Sequence, residues 1–259
     1  MESHEAQALA ERFDREGYLV IPNALTPKEL EPLRQRYDEL MSAHWETVKR
    51  TDPDPRRVYL PRLLERDPVF EPLMDWPRTY PIARAILGQD ITLASAGEAD
   101  YRPANSGGWI GWHSDTSWLP GVPYPRQFHW VRCAYFLEDI TEDMGPFTLL
   151  PGSHRATHPC PPGYTGPDHL PRTIPGQVAI TGKAGTCLIN NTEIWHTSTP
   201  NRSARPRKLL MVLYKHAWMR QWEAGHDVTR EFGERQTDPR RRQLCNVGPW
   251  HRYDGNWDA

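Results

Sequence analysis

From residue 91 onward, short strand-like segments are separated by clusters of glycine, proline and asparagine. This pattern constrains the fold more than any other feature of the sequence. The predicted strands are 91–96, 130–137, 147–150, 177–180, 186–190 and 208–214. Many short strands with turn signals between them are typical of an all-β sandwich or barrel, whereas alternating strands and helices would indicate βα units. The 26 prolines of the 259-residue chain are dispersed, which favours ordered turns. We therefore expect a β core.

The N-terminal part differs, because its apolar residues recur at helical spacing. The first apolar face consists of Ala6, Leu9, Ala10, Phe13 and Gly17. A short strand, Tyr18–Ile21, follows it. A second helix begins at Thr26, because Thr26 is a good N-cap, Pro27 suits the first helical position and Glu29 completes a capping box. We expect this helix to run to about Trp45.

Residues 51–61 are rich in proline and arginine and are predicted to form a loop, and Tyr80–Leu87 is predicted to be another short helix. The absence of repeats and of an obvious linker favours one domain spanning 1–259. We expect residues 1–90 to be mostly helical support and residues 91–216 to form the β core that carries the metal site. Residues 217–259 would be a C-terminal extension.

Composition excludes several classes of protein. The formal net charge of −2 argues against a nucleic-acid-binding protein, which normally presents a basic face. The longest apolar stretch, 208–214, is too short to span a membrane, and the acidic N-terminus is unlike a signal peptide. The cysteines are far apart and form no C-x-x-C pair, so we expect reduced thiols in the cytoplasm. They are Cys133, Cys160, Cys187 and Cys245.

A small set of polar residues could bind a metal ion and an acidic co-substrate. His113 and Asp115 lie two residues apart on a segment read as extended, so both side chains point to one side. His196 offers a second imidazole, and two histidines with one carboxylate form the facial triad of non-heme Fe(II) oxygenases. Arg207, eleven residues later, has a planar two-pronged donor suited to a carboxylate.

The order of these motifs resembles that of the phytanoyl-CoA dioxygenase family of Fe(II)/2-oxoglutarate oxygenases. The resemblance covers most of the chain. The matching segments are 13–21 with 25–30, His113-Ser-Asp115, 135–145 running into 150–154, and Trp195-His196 through Asn201-Arg-Ser203 to Arg207. The common order of these matches makes the resemblance specific.

The resemblance implies a mainly β fold, a double-stranded β-helix (jelly-roll, cupin-like) core with supporting N-terminal α-helices. It implies that His113, Asp115 and His196 hold Fe(II), and that Arg207, assisted by Ser198, binds the far carboxylate of 2-oxoglutarate. O₂ would be the oxidant, with succinate and CO₂ as products. The expected reaction is hydroxylation of a small-molecule metabolite, such as a natural-product intermediate, by a monomer or homodimer. Desaturation, epimerisation and demethylation stay open as outcomes.

Two segments depart from the family pattern. The usual Asn-Gly before the Pro-Gly-Ser-His block reads Met144-Gly145, and the usual Lys-Pro-Pro upstream of H-x-D reads Tyr101-Arg102-Pro103. The second departure affects the expected contacts to co-substrate or substrate and leaves the iron site intact. The presence of Asp115 also counts against a halogenase, which needs that coordination position for halide.

Other residues near these motifs are candidates for the substrate pocket. Trp118, Trp112 and His129 are the pocket candidates, because apolar walls keep water from a reactive oxidant. Large aromatic residues that only fill a barrel are the alternative interpretation. His154 and His158 have i, i+4 spacing, but no glutamate follows His154 and nearby prolines disfavour a helix there.

Two other functions are compatible with the same residues. A cupin-like metal-binding protein without turnover would keep the barrel, although it would not need an arginine at the position of Arg207. A zinc-dependent hydrolase could use His113, Asp115 and His196 without 2-oxoglutarate. A requirement for 2-oxoglutarate distinguishes the oxygenase from both.

Overall fold

The computed structural model describes residues 3–53, 55–107, 110–115, 130–160, 171–219 and 225–247. Its helices are α1 (Ser3–Glu16), α2 (Pro27–Val48), α3 (Leu63–Arg66), α4 (Tyr80–Leu87), α5 (Arg230–Glu234) and α6 (Pro239–Leu244), with 3-10 turns at Pro68–Asp75, Glu142–Met144 and Ser153–Arg155. The strands are β1 (Tyr18–Ile21), β2 (Val58–Pro61), β3 (Ile91–Leu93), β4 (Glu98–Arg102), β5 (Ile110–His113), β6 (Val131–Phe136), β7 (Phe147–Leu149), β8 (Val178–Ala179), β9 (Cys187–Asn191), β10 (His196–Ser198) and β11 (Arg207–His216).

These strands form two antiparallel sheets. The larger sheet has the order β1-β9-β6-β11-β4-β2, with β3 also paired to β11, and the smaller sheet has the order β5-β10-β7-β8. Strands that are neighbours in a sheet, such as β6 and β11, are often far apart in the chain. Such connections are typical of a sandwich in which the chain crosses between the two sheets. The prediction of a mainly β fold with N-terminal helices is confirmed.

Four strands, β2, β4, β5 and β10, were not among the predicted strands, although the segment that holds His113 was expected to be extended. For β2 and β4 the physical reason is clear. β2 lies at the end of the segment that we expected to be a loop. Among the described strands it pairs with β4 alone, and such an edge strand tolerates its terminal Pro61. β4 carries three charged residues, Glu98, Asp100 and Arg102, and therefore lacks the apolar pattern that identifies a strand. These charged side chains line an internal cavity.

Strand β6 shows how the large sheet separates the core from this cavity. Val131, Cys133 and Tyr135 belong to one buried apolar cluster with the inner face of α2. Arg132 and Ala134, at the alternate positions, line the cavity between the sheets. Because side chains alternate along a strand, one face of the sheet supports the fold and the other carries the site.

The described part of the C-terminal segment packs on the core. Phe232 of α5 and Leu244 at the end of α6 are buried in the same cluster as the N-terminal helices. The carbonyl of His226 accepts a hydrogen bond from the amide of Ala96 (2.8 Å), between β3 and β4. These contacts support our proposal that residues 1–259 form one domain with a helical N-terminal part, a β core and a C-terminal extension.

At Gly185, in the turn before β9, the backbone packs closely against the backbone of Leu25. The φ of Gly185 is +85°, and a Cβ there would lie 2.2 Å from the carbonyl oxygen of Leu25, whereas Gly152 (φ +77°) has its nearest atom at 3.7 Å. Alanine in a left-handed conformation costs about 1–2 kcal/mol, and overpacking adds about 1–3 kcal/mol. We expect Gly185→Ala to lower the free energy of unfolding clearly more than Gly152→Ala, as measured by urea unfolding. Equal losses would contradict this packing.

Candidate metal centre

Two neighbouring strands of the small sheet bring the predicted histidines together. His196, the first residue of β10, pairs directly with His113, the last residue of β5, and their ring centroids are 4.3 Å apart. Asp115 follows two residues later, and its amide donates a hydrogen bond to the carbonyl of Thr192 (3.0 Å). Phe147 of β7 stacks on His196 at 4.6 Å between ring centroids. The strand pairing therefore fixes the positions of the imidazoles.

The potential ligand atoms of these residues converge. Asp115 Oδ1 lies 3.6 Å from His113 Nε2 and 3.4 Å from His196 Nε2. One ligand atom from each of the three residues lies within 4.8 Å of the others. Metal–ligand bonds of about 2.0–2.2 Å from one shared centre fit such spacings.

The hydrogen bonds of both imidazoles select the tautomer that a metal needs. His113 Nδ1 lies 2.7 Å from the carbonyl of Gly111, and His196 Nδ1 lies 2.8 Å from the carbonyl of Ile194. Because a carbonyl oxygen only accepts, both Nδ1 atoms carry the proton and both Nε2 atoms keep a lone pair. Burial lowers the pKa of His196, which favours the neutral form.

An arginine that we did not single out in the sequence, with a side chain 13% exposed, contacts the carboxylate of the triad. Arg132 donates from Nη2 to Asp115 Oδ2. Burial alone would raise the pKa of Asp115, but the charge of Arg132 and the two nearby histidines bring it well below its ordinary value. Asp115 is therefore ionised and oriented. An arginine inside the otherwise apolar strand 130–137 is the sequence signal that could have identified this role.

The other end of the cavity is lined with arginines. Arg207 pairs in register with Arg102 across β11 and β4, and Arg102 donates to Ser198 Oγ (2.6 Å). Arg57 makes two hydrogen bonds to Asp100 (3.1 and 2.9 Å), and Arg207 Nη2 lies 3.6 Å from the same carboxylate. Three arginines thus surround a single carboxylate, which leaves a surplus of two positive charges.

This surplus is buried and suits an anion. Burial and the neighbouring Arg207 lower the pKa of Arg102 to about 9, and burial also lowers the pKa of Arg207. Arg207 donates to the carbonyl of Gly145, but its Nε is buried with no partner among the described residues. Buried cationic groups need compensation by a charged or polar partner. A carboxylate of a co-substrate would supply it, so the residues fit both iron and 2-oxoglutarate.

The cavity that joins the two ends has a volume of about 490 Å³. Its remaining walls are largely apolar side chains from the large sheet, namely Ala134, Phe136, Leu188, Leu209, Met211 and Leu213. This volume lies within the range of about 300–1,000 Å³ of small-molecule sites.

Of the three residues predicted to line the substrate pocket, the structure describes Trp112 alone. The indole of Trp112 donates to the carbonyl of Arg172 (2.7 Å), and its ring packs with Ile174 and Trp195 outside the described cavity wall. The pocket role predicted for Trp112 is therefore replaced by a packing role, because Trp112 points away from the neighbouring His113 on the same strand. Trp118 and His129 lie outside the described residues.

The competing pair of histidines does not form a second centre. His154 is buried, and its Nε2 lies 3.0 Å from the carbonyl of Asp14. The 3-10 turn Ser153–Arg155 ends before His158, which is exposed and directs Nδ1 to the carbonyl of Pro159 (2.9 Å). No helix therefore brings both imidazoles to one side.

Comparisons with known proteins agree with this geometry. The family model "Phytanoyl-CoA dioxygenase (PhyH)" matches residues 13–209. Ectoine dioxygenase of Stutzerimonas stutzeri is 30% identical, with 82% of this chain and 77% of that protein covered. L-proline trans-4-hydroxylase of Streptomyces griseoviridis is 25% identical, covering 78% and 84% of the two chains.

Solved structures share the fold. HygX from Streptomyces hygroscopicus, with nickel, 2-oxoglutarate and hygromycin B bound, superposes with a TM-score of 0.68 at 20% identity, over 87% of this chain and 93% of HygX. The predicted resemblance and the predicted jelly-roll core are thereby confirmed.

The charge balance at the arginine-lined end of the cavity can be tested by removing the charge of Asp100. In Asp100→Asn the buried arginines lose their shared carboxylate, and breaking a buried ion pair costs about 3–5 kcal/mol. Because Arg57 is more than a third exposed, we expect a loss of at least about 2 kcal/mol in urea unfolding, partly recovered by added 2-oxoglutarate. Glu39→Gln, at a half-exposed ion pair, is the control and should change stability by less than about 1 kcal/mol. Similar losses in both variants would contradict the account.

Proposed function

The chain belongs to the phytanoyl-CoA dioxygenase family, and from this premise we propose that it hydroxylates a small molecule with Fe(II), 2-oxoglutarate and O₂. Membership confirms the predicted enzyme class, an Fe(II)- and 2-oxoglutarate-dependent oxygenase. The observation that carries the proposal is the convergence of two imidazole Nε2 atoms and one carboxylate beside a buried arginine pair. The names of two relatives, which refer to ectoine and L-proline, support a small-molecule substrate.

His113, Asp115 and His196 would hold the iron. Iron held there would activate O₂, the oxidant, while 2-oxoglutarate is oxidised to succinate and CO₂ and a substrate carbon is hydroxylated. The chain contributes the ligand geometry, since Nδ1–carbonyl bonds fix both rings and Arg132 fixes the carboxylate. Its apolar cavity walls exclude water from the reacting groups.

Arg207, Arg102 and Ser198 would bind the far carboxylate of 2-oxoglutarate. Ser198 lies two residues after His196 on β10 and accepts a hydrogen bond from Arg102, so the same strand connects the metal ligands to the arginines. Where the family has Lys-Pro-Pro, this chain has Tyr101-Arg102-Pro103, so the positive charge lies one position later, at Arg102, whose guanidinium is a planar donor. A binding protein without turnover or a hydrolase would not need this buried cationic end, so the oxygenase is favoured.

The compartment and the assembly are part of the proposal. All four cysteines are free thiols, which supports the reducing environment of the cytoplasm. Across the described ranges, none of the helices combines the length and the apolar character needed to cross a bilayer. We propose a monomer or homodimer that acts on a small molecule and binds no nucleic acid.

The first prediction of this proposal concerns the metal. His196→Ala should weaken Fe(II) binding by about 100-fold or more in anaerobic calorimetry, because one of three ligands is lost. His158→Ala, which removes the exposed histidine of the competing pair, should bind Fe(II) as the wild type does. The reverse pattern would place the metal elsewhere.

The second prediction concerns the co-substrate. In Ni(II)-loaded protein, Arg207→Ala should bind 2-oxoglutarate about 10- to 100-fold more weakly, because charge-assisted hydrogen bonds contribute about 1.5–3 kcal/mol. Ni(II) affinity should change little, since Arg207 contacts none of the three ligands. Arg207→Lys should recover only part of the loss, and the half-buried Arg84, outside the cavity, supplies the control Arg84→Ala. Unchanged affinity for 2-oxoglutarate in Arg207→Ala would refute the assignment.

A further inference from the structure

The charge along the cavity changes sign from one end to the other. On β4, the side chains of Arg102, Asp100 and Glu98 all line the cavity. Four residues of strand separate Arg102 from Glu98, a distance of about 13 Å. Arg102 lies at the cationic end beside Arg207, whereas Glu98 pairs in register with Met211, four residues further along β11. The two ends of one strand therefore present opposite charges to the same cavity.

Glu98 is a buried carboxylate that lacks a hydrogen-bonded partner among the described residues. Its side chain is 9% exposed, and its nearest cationic candidate, His226 Nδ1, lies at 3.6 Å. Among the described residues, none donates a hydrogen bond to it. The charges of Arg132 and Arg57 act on Glu98 from a distance, but these arginines have their ion pairs with Asp115 and Asp100. Burying a carboxylate without a hydrogen-bonded partner is unfavourable, so this position is suited to a cation that enters with a ligand.

A second acceptor faces the same end of the cavity. Asn190 pairs in register with Arg132, is fully buried and contributes to the cavity wall. Its Nδ2 donates to the carbonyl of Asn191 (3.0 Å), but its Oδ1 is buried with no partner among the described residues. Because a buried amide oxygen normally accepts a hydrogen bond, it can accept from an N–H group of a ligand.

The C-terminal segment completes this end of the cavity. His226 stacks on Tyr59, with 5.4 Å between ring centroids and 28° between planes, and its Nδ1 lies 3.2 Å from the Tyr59 hydroxyl. The adjoining wall is apolar, with Met211 and Leu213 of β11. A ligand that fits this end has an apolar carbon body and a nitrogen that points toward Glu98.

We propose that Glu98 anchors a positively charged nitrogen of the substrate, so that the enzyme's substrates are small amines with an apolar carbon skeleton. The inference rests on the proposed function, since it assigns the substrate side of that site. The arginine-lined end binds the acidic co-substrate, and the Glu98 end selects a cation. The opposite charges prevent either molecule from occupying the wrong end.

The test uses pairs of probes in which N-acetylation removes the positive charge of the nitrogen, and Glu98→Gln separates this loss of charge from the added bulk of the acetyl group. Piperidine, pyrrolidine, L-proline and L-lysine are compared with their N-acetyl derivatives for binding to Ni(II)- and 2-oxoglutarate-loaded protein by ligand-observed NMR. We expect at least one amine to bind about 10-fold or more tightly than its N-acetyl partner. This preference should disappear in Glu98→Gln and persist in Glu142→Gln, a control at an exposed residue.

Charge inversion provides a second variant. Glu98→Lys should favour carboxylate probes, such as cyclohexanecarboxylate, over the amines, provided that circular dichroism shows the native fold. Equal or tighter binding of the N-acetyl forms by the wild type, no binding of any amine, or a preference unchanged in Glu98→Gln would overturn the inference. Failure of the proposed function would instead appear earlier, as a wild-type protein that does not bind 2-oxoglutarate after metal loading.

Discussion

The site depends on the antiparallel pairing that sets His113 opposite His196. This pairing joins the end of β5 to the start of β10, and backbone carbonyls of the same two segments hold both Nδ1 atoms. The metal-binding tautomer is therefore a consequence of local backbone geometry. Asp115 and Ser198 lie two residues from these histidines, so one register places the proposed metal site and the proposed contact to the co-substrate.

The charged residues around the site come mainly from the large sheet and not from the two strands that carry the histidines. Its strands alternate between a face packed on helices and a face that lines the cavity, so β4 and β6 can carry Glu98, Asp100, Arg102 and Arg132 without disturbing the core. Partners come from different strands, as in the contact of Arg132 with Asp115. A surplus of two positive charges at one end, and a carboxylate without a hydrogen-bonded partner among the described residues at the other, then make the two ends of the cavity electrostatically different.

The sequence predicted the apolar strands and the ordered motif His113, Asp115, His196 and Arg207, because periodicity and spacing are local properties. It did not predict β4, since charged residues that face a buried cavity look like a solvated loop in the sequence. It also did not predict β2, a short edge strand at the end of a segment rich in proline and arginine. Arg102 was noted only as a departure from the family pattern, and Arg132 was not singled out. Their partners are far away along the chain, as Ser198 is from Arg102, and only the folded register brings them together.

The most direct test of the account is an anaerobic titration of the apo-protein with Fe(II) and then 2-oxoglutarate, followed by visible absorption. We expect the charge-transfer band of a chelated 2-oxoglutarate to appear after the second addition and to saturate at one equivalent per chain. Normal Fe(II) binding without this band would contradict the assignment of the arginine-lined end to 2-oxoglutarate. Absence of Fe(II) binding would contradict the assignment of His113, Asp115 and His196 as the metal centre.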